Sequence, residues 1–81
     1  MRITVRLFAS HREAAGTAEI AVELPAGSRA VDALESCRRS HPRAPGRDAA
    51  MAFAVNREFA TPDTELNDGD EVAVLPPVAG G

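Results

Sequence analysis

The sequence predicts an α+β roll, a sheet of four to five strands packed on one main helix. Strict apolar–polar alternation marks two strands in the N-terminal third, Arg2 to Phe8 and Glu19 to Leu24. Apolar residues at helical spacing then mark one amphipathic helix, from about Arg29 to Ser40. Shorter strand-like runs separated by tight-turn residues follow it. At 81 residues the chain is a single domain, near the size at which one apolar core suffices without crosslinks. No segment repeats another.

In the first strand Ile3, Val5 and Leu7 share one face, and Arg2, Thr4 and Arg6 the other, as expected of a half-buried strand. Ser10-His11-Arg12-Glu13 fits the Ser-x-x-Glu capping box. It predicts a short helix over Ala14-Ala15, ended by Gly16, with His11 exposed. In the second strand Ile20, Val22 and Leu24 point inward. Pro25-Ala26-Gly27 turns the chain, and Ser28 is the expected N-cap of the main helix. Val31, Leu34 and Cys37 form the apolar stripe of that helix, with Ala30 and Ala33 beside them. Asp32 in its first turn and Arg38-Arg39 in its last both suit the helix dipole. Pro42, Pro45 and Gly46 predict an irregular loop. Phe53-Ala54-Val55-Asn56 reads as a third strand and Arg57-Glu58-Phe59-Ala60 as a short fourth. The turn Asn67-Asp68-Gly69-Asp70 feeds the last strand, Glu71 to Leu75.

A hydrophobic content of 44% with 26% charged residues is that of a soluble globular chain, not a disordered one. One cysteine excludes an internal disulfide and any multi-cysteine zinc cage. No apolar run is long enough for a membrane span. The N-terminus enters a strand pattern at once, without the layout of a signal peptide, so a cytoplasmic location is expected. The net charge of −3 is unevenly spread. Every basic residue is Arg and the last is Arg57; Glu58, Asp63, Glu65, Asp68, Asp70 and Glu71 follow with no cation. Such an acidic lobe repels nucleic acid and favours a basic partner surface near the C-terminus.

Side-chain chemistry finds little footing. Cys37 and His41 are four apart, as a nucleophile and base on one helix face would be. Cys37, however, lies on the apolar stripe, and His41 precedes Pro42 at the helix end. Asp68 and Asp70 lack the remaining ligands of a calcium loop, and no metal site is expected. Gly27-Ser28 is too short for a phosphate loop, and no basic, aromatic-bearing nucleic-acid face is present.

The C-terminus is different. Val78-Ala79-Gly80-Gly81 follows the rigid pair Pro76-Pro77, and a carboxylate on two glycines is a reactive handle. The prolines end the strand and stiffen the exit from the fold. Extended from Pro76 to Gly81, the tail reaches roughly 20 Å. The expected division is thus a domain over 1–75 and a protruding, flexible tail over 76–81. If Val72 and Val74 face the helix, Ala73 and Leu75 face solvent. Leu75 and Phe59 then form an exposed apolar pair at the base of the tail, the expected docking patch.

These residues resemble a known family. Leu66 to Gly81, with Gly69-Asp70-Glu71-Val72 and the ending Pro76-Pro77-Val78-Ala79-Gly80-Gly81, is similar to the C-termini of MoaD-type sulfur carriers, the small subunits of molybdopterin synthase in the wider MoaD/ThiS family. Phe53-Ala54-Val55-Asn56 resembles the family's Ala-Val-Asn strand. Leu7-Phe8-Ala9 with Arg12-Glu13 and Gly16 resembles its first strand and short helix. The similarity spans the chain and is weakest from about His41 to Ala50.

The resemblance implies a ubiquitin-like β-grasp roll with a mixed sheet. It implies a sulfur carrier with no bound cofactor and no side-chain active site. An ATP-dependent, MoeB-type enzyme would adenylate the carboxylate of Gly81, and a sulfur donor would convert it to a thiocarboxylate, a C-terminal 1-thioglycine. The tail, Pro76, Pro77, Val78, Ala79 and Gly80, would then enter the active site of a MoaE-type large subunit. There sulfur would pass to cyclic pyranopterin monophosphate to build the dithiolene. Two small and two large subunits would form the assembly, without nucleic acid or membrane. Carriers for thiamin thiazole, cysteine or tRNA thiolation also end in Gly-Gly on this fold, although the Pro-Pro pair and the length favour molybdopterin. A modifier joined to lysines through Gly81 and a plain interaction domain are the alternatives of other classes. An acyl carrier is excluded by the strand alternation and by the lack of serine at Asp32-Ala33-Leu34.

Overall fold

The computed structural model describes residues 1–77. The expectations placed on Val78, Ala79, Gly80 and Gly81 lie outside the described residues. The elements run β1 (Arg2–Leu7), α1 (Ala9–Ala15), β2 (Glu19–Glu23), α2 (Ala30–Ser40), β3 (Ala52–Val55), β4 (Glu58–Ala60) and β5 (Glu71–Leu75). Five strands form one sheet in the order β2-β1-β5-β3-β4. β1 pairs antiparallel with β2, placing Val5 opposite Ile20, and parallel with β5, placing Val5 opposite Val72. β3 pairs antiparallel with both β5 and β4. The neighbouring inner strands β1 and β5 are thus the first and last strands among the described residues, and α2 is wrapped by the sheet in the β-grasp manner.

Alternation decides which face meets the helix. Ile3, Val5 and Leu7 of β1, Ile20 and Val22 of β2, Phe53 of β3, and Val72 and Val74 of β5 are all buried. They pack with Ala30, Ala33, Leu34 and Cys37 of α2 into one core. Val31, expected on the apolar stripe, is only half-buried. Among the described residues no helix is long and apolar enough to cross a membrane.

Both helix starts differ from the local signals. α1 begins at Ala9, with Phe8 at the N-cap and no side-chain cap. Ser10 therefore falls inside the first turn, where it does not cap, and the expected box is absent. His11 is half-buried rather than exposed, with its Nδ1 3.5 Å from the Val74 carbonyl of β5. The stop at Gly16 is as read: it adopts φ 77° and its N–H donates to the Arg12 carbonyl. At α2 the Ser28 hydroxyl turns back to donate to the Pro25 carbonyl at 2.8 Å, and Arg29 takes the cap position. Asp32 Oδ2 accepts the Arg29 N–H at 2.8 Å, as an acidic third residue should. The first helical N–H groups, of Ala30 and Val31, donate to the carbonyls of Thr64 and Pro62 at 2.9 and 3.0 Å. A loop distant in sequence, Pro62 to Thr64, thus caps the helix, which no local signal announces.

The loop from His41 to Met51 is irregular, as the prolines require, yet Ala44 and Met51 are buried in the core. Between β3 and β4 the chain reverses over Asn56 (φ 51°) and Arg57 (φ 69°). Positive φ at both central residues is the mark of a type I′ turn, so β4 begins one residue later than the sequence suggests.

Candidate functional site

α2 covers one face of the sheet and leaves the other open. Strand register builds the open face. Residues paired across a ladder point to the same side, and one row runs Glu19, Arg6, Ala73, Ala54, Phe59 across all five strands. Two alanines at the centre of this row leave a depression of about 400 Å³. Its lining is Arg6, Phe8, Ala54, Arg57, Phe59, Glu71, Ala73 and Leu75.

Phe59 is 86% exposed and forms one rim. Leu75 lines the same depression, so the structure brings the expected pair onto a single apolar surface. Two details differ from expectation. Leu75 is half-buried, not fully exposed, and Ala73 is only 9% exposed although its side chain faces away from α2. The short alanine side chain lies sunk between longer ones, notably its register partner Arg6. Phe8, to which sequence reasoning gave no role, completes the surface. Its signal was parity: position 8 continues the outward series of residues 2, 4 and 6, where an aromatic has no core to join.

The polar part of the face centres on Arg6. Its Nε stands 3.8 Å from Glu19 Oε1 and its Nη1 3.6 Å from Glu71 Oε2. Its guanidinium carbon lies 5.8 Å from the centre of the Phe8 ring, within cation–π range. The acidic lobe is partly taken up by the fold. Asp68 Oδ1 accepts the Arg2 N–H at 2.7 Å, and Asp70 accepts from Asn67 N–H and Asn56 Nδ2 at 2.8 and 2.9 Å. Glu58 and Glu65 line a second cleft, beside β4.

β5 ends at Leu75, which lines the depression, and the half-buried Pro76 and exposed Pro77 follow it. The tail is therefore rooted beside the apolar surface. Side-chain chemistry elsewhere is poor. Cys37 is inaccessible, and burial pushes its thiol up, away from the reactive thiolate. The His41 ring lies 3.0 Å from the Ser40 hydroxyl. Among the described residues no three His, Cys, Asp or Glu gather to hold a metal.

The ThiS family model matches residues 5–81. The chain belongs to the ThiS family. Among its relatives is the molybdopterin synthase sulfur carrier subunit of Chlamydomonas reinhardtii, 40% identical over 83 aligned positions covering 100% of both chains. The fold of this ThiS-family chain is shared by SAMP1 of Haloferax volcanii, with a TM-score of 0.86, 28% identity and 100% of each chain covered. It is shared too by a molybdopterin converting factor subunit 1 of Pyrococcus furiosus, at a TM-score of 0.76 and 38% identity, covering 95% of this chain and 98% of that one. The ubiquitin-like β-grasp assignment stands on these likenesses together with the sheet order.

Proposed function

We propose that this ThiS-family chain is a sulfur carrier, the small subunit of a molybdopterin synthase. The observation that supports it most is the end-to-end similarity to a molybdopterin synthase sulfur carrier subunit at 40% identity. The position of Pro76, at the root of a Gly-Gly tail and next to Leu75 of the apolar depression, agrees with it.

The chemistry follows from the C-terminus. A carboxylate is a poor electrophile, so the Gly81 carboxylate first attacks the α-phosphorus of ATP and releases pyrophosphate. Hydrosulfide released by a sulfur donor then attacks the acyl carbon, the C–O bond to phosphate breaks, AMP leaves and the S–H proton is lost to solvent. The product is an ionised thiocarboxylate, a soft nucleophile. Glycine at positions 80 and 81 leaves the acyl carbon open to in-line approach. Pro76 to Gly80 carry it into the active site of a MoaE-type large subunit, where the sulfur bonds to cyclic pyranopterin monophosphate and water then cleaves the acyl C–S bond, returning the Gly81 carboxylate. Gly81 is thus a co-substrate. The groups that stabilise charge in each step belong to the partners, the MoeB-type adenylating enzyme and the large subunit. Phe59 and Leu75, joined by Phe8, form the surface on which a partner seats while the tail is engaged. A heterotetramer of two small and two large subunits in the cytoplasm completes the reading.

A second reading, a modifier conjugated to lysines through Gly81, draws support from the likeness to SAMP1, the small archaeal modifier protein. Affinity capture from the source cell with N-terminally tagged bait, full-length or lacking Gly80 and Gly81, separates the two. Capture of the large subunit, with an activating enzyme that depends on the tail, supports the carrier. Ladders of conjugates that vanish with the truncated tail support the modifier, and capture of another sulfur acceptor would move the carrier to another pathway.

A further inference from the structure

Arg6 lines the depression on the open face, and its bonding is incomplete. A guanidinium carries five N–H donors and no acceptor. Among the described residues none of those donors makes a hydrogen bond: the Glu19 and Glu71 oxygens stand at 3.8 and 3.6 Å, beyond bonding reach. Nε is fully buried and has no partner. Leaving such a donor unpaired is costly, and native folds rarely do so without a reason. The side chain is nonetheless held in place. Phe8 lies under the guanidinium at 5.8 Å and the two carboxylates flank it, while its own side chain remains a third exposed.

We propose that Arg6 is a specificity-determining residue of docking, donating to a main-chain carbonyl of the protein that covers the open face; this rests on the reading of that face as the partner surface. Two features fix the chemistry of the occupant. Glu19 and Glu71 already neutralise Arg6, so a third carboxylate would meet net repulsion, whereas an uncharged carbonyl would not. Ala73, paired with Arg6, and Ala54 beyond it in the same row are small enough for foreign backbone to approach closely. The occupant is thus an extended, uncharged segment of the partner. It sets one carbonyl on the guanidinium and one apolar side chain between Phe8, Phe59 and Leu75. The flat, two-pronged donor geometry favours Arg over Lys at this position.

The test is calorimetric binding of the source organism's molybdopterin synthase large subunit to the wild-type chain, Arg6→Met, Arg6→Lys and Phe59→Ala, at low and high salt. Arg6→Met keeps the stem and removes the donors; it is expected to weaken binding by about tenfold or more, the scale of a charge-assisted hydrogen bond. Arg6→Lys should fail to restore it. The ratio of wild-type to Arg6→Met affinity should stay nearly constant with salt, as a neutral acceptor requires. Arg6→Met binding like wild type while Phe59→Ala binds weakly would overturn the role of Arg6 alone. Wild-type affinity in both variants, or no binding by the wild-type chain, would overturn the docking surface and this inference with it. A ratio that collapses at high salt would replace the carbonyl with a carboxylate and overturn the proposed occupant. Thermal unfolding of each variant guards against misfolding. If Arg6→Met is unstable, the double change Arg6→Met with Glu71→Gln removes the stranded charge and carries the same expectation.

Discussion

The Asn56 side chain and backbone close together on Glu71: Oδ1 of Asn56 accepts the Glu71 N–H at 3.0 Å, and the Asn56 N–H donates to the Glu71 carbonyl at 2.8 Å. Its Nδ2 also donates to Asp70 Oδ1 at 2.9 Å. The turn between β3 and β4 is thereby clipped to the first residue of β5. Phe59 lies just past that turn and Leu75 at the far end of β5, so the clip helps hold both sides of the apolar depression in one frame. Asn is well suited to the place, because it tolerates the left-handed φ of 51° better than other non-glycine residues.

Breaking the clip should therefore destabilise the domain. Asn56→Ala loses both side-chain bonds and strains the backbone, and a cost of about 2–3 kcal/mol is expected. Asn56→Gly relieves the strain and should cost less, about 1–2 kcal/mol. Urea denaturation of the two variants against wild type checks both the size and the order.

Phe59 contributes little to folding, being 86% exposed on an edge strand. Phe59→Ala should change unfolding free energy by no more than about 0.5 kcal/mol. An aromatic anchor of a docking surface is worth far more to binding, so affinity for the partner should fall by about tenfold or more. A fall in stability without a fall in affinity would reverse the assignment.

Filling the depression tests its use directly. Ala73 faces it opposite Ala54, away from the helix. Ala73→Leu places a larger side chain where the partner's apolar group is expected. The domain should remain folded, with partner binding weakened by at least about tenfold, as read by calorimetry beside thermal unfolding.

Cys37 gives a pH signature. Burial holds its thiol above the ordinary value in the folded state. As pH rises through the usual thiol range, the unfolded chain releases the proton first. The stabilising contribution is thus complete below that range and is lost as pH climbs towards the folded value. The chain has no Lys and no Tyr, so few other groups titrate there. Wild-type stability should fall on the alkaline side, and Cys37→Ala, though less stable overall, should show a flatter alkaline limb. Alkylation of Cys37 should wait on unfolding.

What the sequence disclosed follows the range of the interactions. Ile3, Val5 and Leu7, and Ile20 and Val22, revealed their strands because alternation is local. The stripe of Val31, Leu34 and Cys37, with Ala30 and Ala33 beside it, revealed the helix for the same reason, although Val31 itself is only half-buried. Ser10 and Ser28 misled because their capping roles were decided elsewhere: by the entry of α1 at Ala9, and by carbonyls of Pro62 and Thr64 brought from a distant loop. The pairing of β1 with β5 joins the two ends of the described chain, and nothing short-range encodes it. The candidate site shows the same division. Phe59 and Leu75 could be placed on one surface from parity alone. Phe8 carried the same parity signal, but that it and the two alanines line one depression emerged only when the register was known.

The central claim concerns the carboxylate of Gly81, and intact-mass spectrometry addresses it most directly. The full-length chain is incubated with the source organism's adenylating enzyme, ATP and a sulfur donor. A mass gain equal to replacing one oxygen by sulfur, located at Gly81 by fragmentation and absent without ATP, is the predicted result. An unchanged mass in a reaction whose adenylating enzyme is otherwise active would contradict the account.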